Sequence, residues 1–403
     1  MPDRTAKPRR SPARREGHLL SVTIKQVARQ AGVSVATVSR VLNDKGPVAE
    51  ETRRRIREVA ERLRYVPHGA ARSLITNKTN TIGVLLPDIY GEFFSEIIRG
   101  IDLAARGRGY HLLVSSSHGD KSEIEAVLRA TRGRVDGLIV MSPDVDVQTL
   151  QANLPGTLPI VMLNCRGDGA SFDSITVDNY AGAFEMVGHL AELGHRRIAL
   201  VKGPPNNYDA RERLRGYRDA VRALSIERSR ELEIEGDFTE EAGHRAGQRI
   251  AAIKPRPTAI FATNDSMAIG VLSALHEVGL EVPRDIAVAG FDDIPISRFV
   301  SPPLSSVHVA IPELGGRAIE RLIHAIEAKN RHRRRHETLP TTLIVRSSCG
   351  AALGGFQPSR DRTRRRRGHT RDPSDSLRRA PPGGAAEGAK PPGNATIVLK
   401  GGR

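Results

Sequence analysis

Seven short apolar runs set the frame of this chain. They read TIGVLLP (81–87), YHLLVSS (110–116), DGLIVM (136–141), PIVMLN (159–164), RIALVK (197–202), TAIFAT (258–263) and DIAVAG (285–290). Between them lie amphipathic helical patterns, among them 92–107, 179–193, 208–223 and 265–278. The runs are continuous rather than alternating, so both faces of each strand must be covered. Apolar strands alternating with helices build a parallel, doubly wound sheet. There are too many strands for one small sheet, and the pattern predicts an α/β core of two such lobes.

The charge lies outside that core. The 403 residues carry a formal net charge of +16. Residues 1–75 hold 17 Lys/Arg against 7 Asp/Glu, and residues 356–403 hold 12 against 4, which leaves the middle near neutral. Basic ends point to a polyanionic partner, either nucleic acid or an anionic membrane surface. Residues 1–20 are rich in Arg, Pro and Ser without periodicity and read as a disordered basic arm. Residues 351–403, with SRDRTRRRRGHTRDPSDSLRRAPPGGAAEGAKPPG, read as a disordered basic tail. No apolar run approaches the roughly 20 residues a membrane helix needs. No apolar segment of signal-peptide length follows the basic N-terminus, so a cytoplasmic protein without a membrane partner is expected. Cys165 and Cys349 match no zinc spacing and are expected to be free thiols in a reducing compartment.

Residues 22–65 show three short helical patterns. Thr23 stands where it can cap the first, and Ile24, Val27, Ala28 and Ala31 fall on one face of it. Gly32 breaks the pattern and supplies a sharp turn, and Ser34 can cap the second helix. In VSVATVSRVLN (33–43), Val38, Val41 and Leu42 face inward, which leaves Val35, Ala36, Ser39 and Arg40 outward near the first turns. Bare apolar residues beside an arginine suit a recognition helix, whose N-terminal residues meet base edges in the major groove. Val35 and Ala36 can touch thymine methyl groups, and Arg40 can pair with O6 and N7 of a guanine. Thr23, Ser34, Thr37, Ser39, Asn43 and Thr52 are the candidates for contacts to the DNA backbone.

VTIKQVARQAGVSVATVSRVLN (22–43), followed by ETRRRIREVAERLRYVPHGAARSL (51–74), resembles the head of the lactose/galactose repressor (LacI/GalR) family of bacterial transcription regulators. The resemblance runs from about residue 22 to about 349. It implies a helix-turn-helix domain over 21–66, a hinge helix and linker over 67–80, and a two-lobed core over 81–350 like that of periplasmic binding proteins. The implied N-lobe is about 81–178 with 309–337, and the C-lobe about 179–308 with 338–350. It further implies that paired hinges wedge Leu74, with Ala71 beside it, into the minor groove, where kinking is cheapest at a central CG step. His68 stands where the family usually has Asn. Gly69 follows it and lowers helix propensity by about 1 kcal/mol. Ala49 replaces a frequent capping serine at the third helix.

Two-lobed sheets bind ligands at the carboxyl ends of their strands. Polar and aromatic residues gather there: Asp88, Tyr90, Phe93 and Phe94; Asn207, Asp209 and Arg213; Phe238; Asn264 and Asp265; and Asp292. These segments resemble the family's effector cleft. By matching position, Arg213, Asn264 and Asp292 are implied to bond ligand hydroxyls and Phe238 to cover a sugar ring. Asp88, Tyr90, Phe94, Asn207 and Asp209 complete the expected set. Asn264 and Asp265 also suit helix caps, one of Phe93 and Phe94 is expected in the core, and Arg211 is expected in a structural ion pair.

No G-x-G-x-x-G follows the first strand, and no P-loop or H-E-x-x-H occurs, so neither an enzyme nor a cofactor is expected. A transport sugar-binding protein would explain the core but not residues 22–74. The expectation is a repressor that binds a palindromic double-stranded DNA operator as a homodimer, under a small-molecule effector, a sugar or sugar derivative. Purine nucleobases and protein corepressors also serve in the family.

Overall fold

The computed structural model describes residues 22–44, 46–65, 78–142, 145–165, 171–328 and 331–351. The basic arm, the tail from 352, and His68, Gly69, Ala71 and Leu74 of the hinge lie outside the described residues.

Three helices form the head: α1 (Ile24–Ala31), α2 (Val35–Leu42) and α3 (Glu50–Arg62). At the start of α1, the Gln26 side chain accepts from the Thr23 N–H at 2.7 Å. Gly32 ends the helix at φ 64°, and its N–H returns to the carbonyls of Ala28 and Arg29. That left-handed conformation is the one a residue without Cβ adopts cheaply. Ser34 then caps α2 by accepting from the Thr37 N–H at 3.1 Å. Val27, Ala28, Ala31, Val38, Val41, Ile56, Val59 and Ala60 close a small core. Ala49 offers α3 no side-chain cap; Glu50 and Glu51 stand in its first turn, where the helix dipole favours anions. Arg53 and Arg57 both donate to Asp44, at 3.1 and 3.0 Å, and so tie the loop after α2 to α3.

The rest is built on two six-stranded sheets. In chain order the elements are β1 (Thr81–Leu86), α4 (Glu92–Arg106), β2 (His111–Ser116), α5 (Lys121–Thr131), β3 (Gly137–Val140), α6 (Val147–Asn153), β4 (Ile160–Leu163) and β5 (Asp173–Val177). Then follow α7 (Asn179–Glu192), β6 (Ile198–Val201), α8 (Tyr208–Ala223), β7 (Glu233–Ile234), α9 (Glu240–Ala252), β8 (Ala259–Ala262), α10 (Asp265–Glu277) and β9 (Ala287–Asp292). β10 (Ser305–His308), α11 (Ile311–Ala328), β11 (His336–Leu339) and β12 (Thr342–Ile344) complete the fold. The first sheet runs β11-β5-β4-β3-β1-β2 and the second β12-β10-β9-β8-β6-β7. All neighbours are parallel except β10 and β12.

Each of the seven apolar runs became a strand, and β3, β4, β6, β8 and β9 are buried throughout. Helices cover both faces of each sheet. Helix pairs approach closely at glycines. A Cβ on Gly100 in α4 would lie 2.2 Å from the Pro312 carbonyl oxygen in α11. One on Gly270 in α10 would lie 2.0 Å from the Glu240 carbonyl oxygen in α9.

The chain passes from one sheet to the other after β5, between β10 and α11, and between β11 and β12. β11 stays in the first sheet through Leu339, paired with Val177, past the boundary at 337 that the sequence suggests. Among the described residues no helix is long and apolar enough to cross a membrane. Cys165 and Cys349 are both buried and unbridged.

Candidate DNA-reading helix and ligand cleft

α2 is two-faced. Val38 and Val41 are buried, whereas Val35 is 41% exposed and Ala36 and Arg40 are exposed. An exposed valine at the first turn of a helix capped by Ser34 leaves an apolar surface that the head's own core does not use. Among the expected backbone contacts, several residues also shape the helix ends. Ser34 and Thr37 share a hydroxyl–hydroxyl bond of 2.9 Å. The Asn43 amide donates to the Ser39 carbonyl at 2.8 Å and to its hydroxyl at 3.3 Å. Thr23 stands at the start of α1, and Thr52 is half-buried in α3. Ser34, Thr37, Ser39 and Asn43 are thus held by hydrogen bonds within α2 and at its ends.

A cleft of about 480 Å³ opens between the carboxyl ends of the two sheets. All nine residues expected there line it: Asp88, Tyr90 and Phe94 from one side, and Asn207, Asp209, Arg213, Phe238, Asn264 and Asp292 from the other. Asp88 closes the turn after β1 by accepting from the N–H groups of Ile89 and Tyr90, at 2.6 and 3.0 Å. Tyr90 projects, 76% exposed. Asn207 caps α8 by accepting from Ala210, and Asn264 caps α10 by accepting from Met267, each at 3.0 Å. The Asn264 amide also donates to the Phe238 carbonyl at 2.9 Å. Capping and cleft lining are thus the same residues doing both.

Arg213 is the centre of the site, and it is 3% exposed. Its Nε donates to Asn179 Oδ1 at 2.7 Å, Nη1 to the Thr263 carbonyl at 2.5 Å and Nη2 to Asp292 Oδ1 at 2.9 Å. The guanidinium lies 3.8 Å over the Phe291 ring and 5.9 Å from that of Phe238. The sequence suggested that Arg213 and Asp292 would both reach ligand hydroxyls. They reach the cleft, but three of the guanidinium's donor bonds go to protein. Asp292 sits at φ 103°, a strained position for a residue with a side chain.

Two buried carboxylates, Asp209 and Asp292, feel the charge of this cation. Burial pushes Asp209 up to about 7 and Asp292 up to about 6, each opposed by the charge of Arg213. Asp265 lies behind the cleft wall, and burial pushes it up to about 8. It accepts from the Ser297 and Ser306 hydroxyls, each at 2.6 Å, and from the Ile294 N–H at 3.0 Å, so it anchors the turn after β9. Towards solvent the lining adds Asp88, Glu92, Asp237 and Glu240, with His118 the further basic side chain.

Other residues of the site escaped sequence reasoning. Asn164, the last residue of the run PIVMLN, lines the cleft; it bonds Asp209, and its Oδ1 is buried with no partner among the described residues. Glu92 accepts from the Ile296 N–H at 2.9 Å and so joins the two lobes. Phe93 and Phe94 do not divide into one core and one cleft residue: both line the cleft, edge to face at 5.5 Å, and both pack against the core. Arg211 donates to the Asn206 carbonyl at 3.4 Å rather than to a carboxylate. No group of three His, Cys, Asp or Glu among the described residues is placed to hold a metal.

A head with one helix presented outward, joined in one chain to a two-lobed domain with a polar cleft, defines a ligand-responsive DNA-binding protein. Residues 23–68 match the family model for bacterial regulatory proteins of the lacI family, and residues 187–349 match that for a periplasmic binding protein-like domain. Along 335 residues the chain is 38% identical to the HTH-type transcriptional repressor PurR of Aliivibrio fischeri strain ES114, covering 82% of this chain and 99% of that protein. It is 36% identical to the ribose operon repressor of Escherichia coli K12 over 330 residues, covering 81% and 99%. The Lac repressor dimer bound to operator and the anti-inducer ONPF matches at a TM-score of 0.73 and 30% identity, covering 82% and 99%. A LacI-family regulator from Enterococcus faecium with bound ribose matches at 0.62 and 27%, covering 66% and 98%. The chain belongs to the lacI family of bacterial regulatory proteins.

Proposed function

We propose that this protein is a cytoplasmic transcriptional repressor that binds a palindromic operator as a homodimer and answers to an uncharged sugar in its cleft. What carries the reading is one chain that holds both the outward Val35–Ala36–Arg40 face of α2 and the acidic, aromatic cleft around Arg213. Val35 and Ala36 meet thymine methyl groups, Arg40 pairs with a guanine, and Leu74 of the hinge wedges into the minor groove. Thr23, Ser34, Thr37, Ser39, Asn43 and Thr52 fix the register on phosphates. One head reads half a palindrome, so two chains related by a two-fold axis are needed.

The chemistry of the cleft narrows the ligand. Asp88, Glu92, Asp209, Asp237, Glu240 and Asp292 face it, and Arg213, the one guanidinium among the described residues that line it, is already bonded to protein. A phosphate group would meet carboxylates and find little free cation, whereas hydroxyls donate well to them. Phe238 and the Phe93–Phe94 pair offer apolar faces to a ring. The relatives repress transcription, and no catalysis is assigned to this chain.

The test is in-vitro selection of random duplexes by the full-length protein at near-physiological salt. A palindrome with a central CG step is expected. Enrichment without a motif would show that the basic ends bind DNA unspecifically and would refute a sequence-reading role for α2.

A further inference from the structure

Two of the three places where the chain passes between the sheets are joined to the cleft through one buried side chain. Asn179, at the first turn of α7, is 1% exposed and does not line the cleft. Its Nδ2 donates to Asp209 Oδ1 at 2.8 Å and to the Val177 carbonyl, the last residue of β5, at 3.2 Å. Its Oδ1 accepts from Arg213 Nε at 2.7 Å. The orientation of the amide is fixed by chemistry, because a carboxylate needs its N–H and a guanidinium needs its oxygen.

Asn179 is thereby bonded to two charged members of the cleft, Asp209 and Arg213, and to the backbone of the first crossing. The second crossing is tied to the first, since the Asp178 N–H donates to the Leu339 carbonyl at 2.9 Å and the Thr341 hydroxyl to the Asp178 carbonyl at 3.5 Å. The third is tied through Asp292, which accepts from Arg213 by its side chain and from the Val309 N–H, at 3.3 Å, by its carbonyl.

We infer that Asn179 is the positioning residue that couples occupancy of the cleft to the lobe crossings at Val177 and Leu339, and so sets how strongly a ligand changes operator affinity. The inference rests on the function proposed above. A ligand shifts a two-state equilibrium only by its differential affinity for the two states. Bonds from Arg213 and Asp209 to Asn179 are short and directional, so any rearrangement of that pair around a ligand reaches Val177 and, through it, the lobe angle. Without the amide, the ligand still meets the same cleft surface, but the movement no longer reaches Val177 and Leu339 and is left with the single crossing tied through Asp292.

The experiment compares full-length wild type with Asn179→Ala and Asn179→Ser, using the duplex recovered by selection. The probes are unphosphorylated D-ribose, D-xylose, D-glucose and D-galactose. The ratio of operator Kd with and without each saturating sugar is measured beside the Kd of that sugar. For the wild type a ratio of roughly 5–150-fold is expected with the cognate sugar. In the variants the ratio should fall to within about twofold of unity, while sugar Kd stays within about tenfold. A residue with a merely structural role would lower Tm and leave the ratio of the folded protein intact, and that result would overturn the inference. A second measurement avoids substitution. In the wild type, amide exchange at Asp178 and Val309 should change when the sugar binds, and unchanged exchange at both would equally overturn it. A wild type that ignores all four sugars would instead refute the ligand class proposed above, and the coupling assigned to Asn179 would fall with it.

Discussion

Replacing Arg213 by methionine should destabilise the core in a strongly pH-dependent way. The substitution removes three hydrogen bonds and the guanidinium whose charge opposes the burial of Asp209 and Asp292. Breaking a buried pair by deleting one partner costs about 3–5 kcal/mol, because the charge left behind is uncompensated. A carboxylate escapes that cost by taking up a proton. Burial already holds Asp292 at about 6 and Asp209 at about 7, and Arg213 is the charge that keeps both from rising further. In the variant both rise. A carboxyl group whose folded pKa lies above its unfolded value contributes stability that is fully present below the unfolded pKa and is lost as pH rises through the folded one. The variant's free energy of unfolding should therefore fall between pH 6 and 8 by up to roughly 1.4 kcal/mol per pH unit for each proton the folded state retains. Urea unfolding of wild type and variant at pH 5.5 and 8 gives the difference. The loss is expected to be severe at pH 8 and much smaller at pH 5.5. Equal losses at both would show that Arg213 stabilises by packing on Phe291 rather than by charge, and would refute the electrostatic account of the site.

Substitutions at three further positions probe separate parts of the molecule. Gly32→Ala meets no atom within 4 Å, so its cost is the left-handed backbone alone, about 1–2 kcal/mol, seen as faster amide exchange in residues 24–62 with the core unaffected. Gly32→Asn should recover part of it. Arg40→Ala should cost about 1–3 kcal/mol and relax the preference at one base pair per half-site, read by repeating the duplex selection. Gly203→Ala would place a Cβ 2.4 Å from the Phe238 ring and displace it; sugar affinity measured by calorimetry should drop roughly tenfold, about 1.4 kcal/mol, with ligand-free operator binding intact.

Much of the fold was legible because parallel strands buried on both faces are apolar along most of their length, as β1, β3, β4, β6, β8 and β9 are, the polar Thr81 and Asp292 standing at strand ends. β5, β10 and β11 were not visible in the same way. Asp173, Ser174 and Thr176, or Ser305 and Ser306, are buried in them by hydrogen bonds rather than by apolarity. The two faces of α2 could be read from spacing, since Val38 and Val41 had to pack on α1 and α3. The cleft residues could be found by position, at strand ends. What spacing could not show was their mutual bonding: that Arg213 gives three bonds to protein, that Asn164 bonds Asp209, and that Asn179 stands behind them. Asn179 begins a helix, as a great many asparagines do, and only its long-range partners Asp209 and Arg213 distinguish it.

The most direct test of the whole account is a fluorescence-anisotropy titration of the selected operator by the full-length protein, with and without the cognate sugar and its phosphate ester. A change in operator affinity of about 1–3 kcal/mol with the free sugar, and none with the phosphate, is the predicted result. Binding curves that coincide under all conditions would contradict a ligand-controlled repressor. A response to the phosphate alone would contradict the ligand chemistry assigned to the cleft.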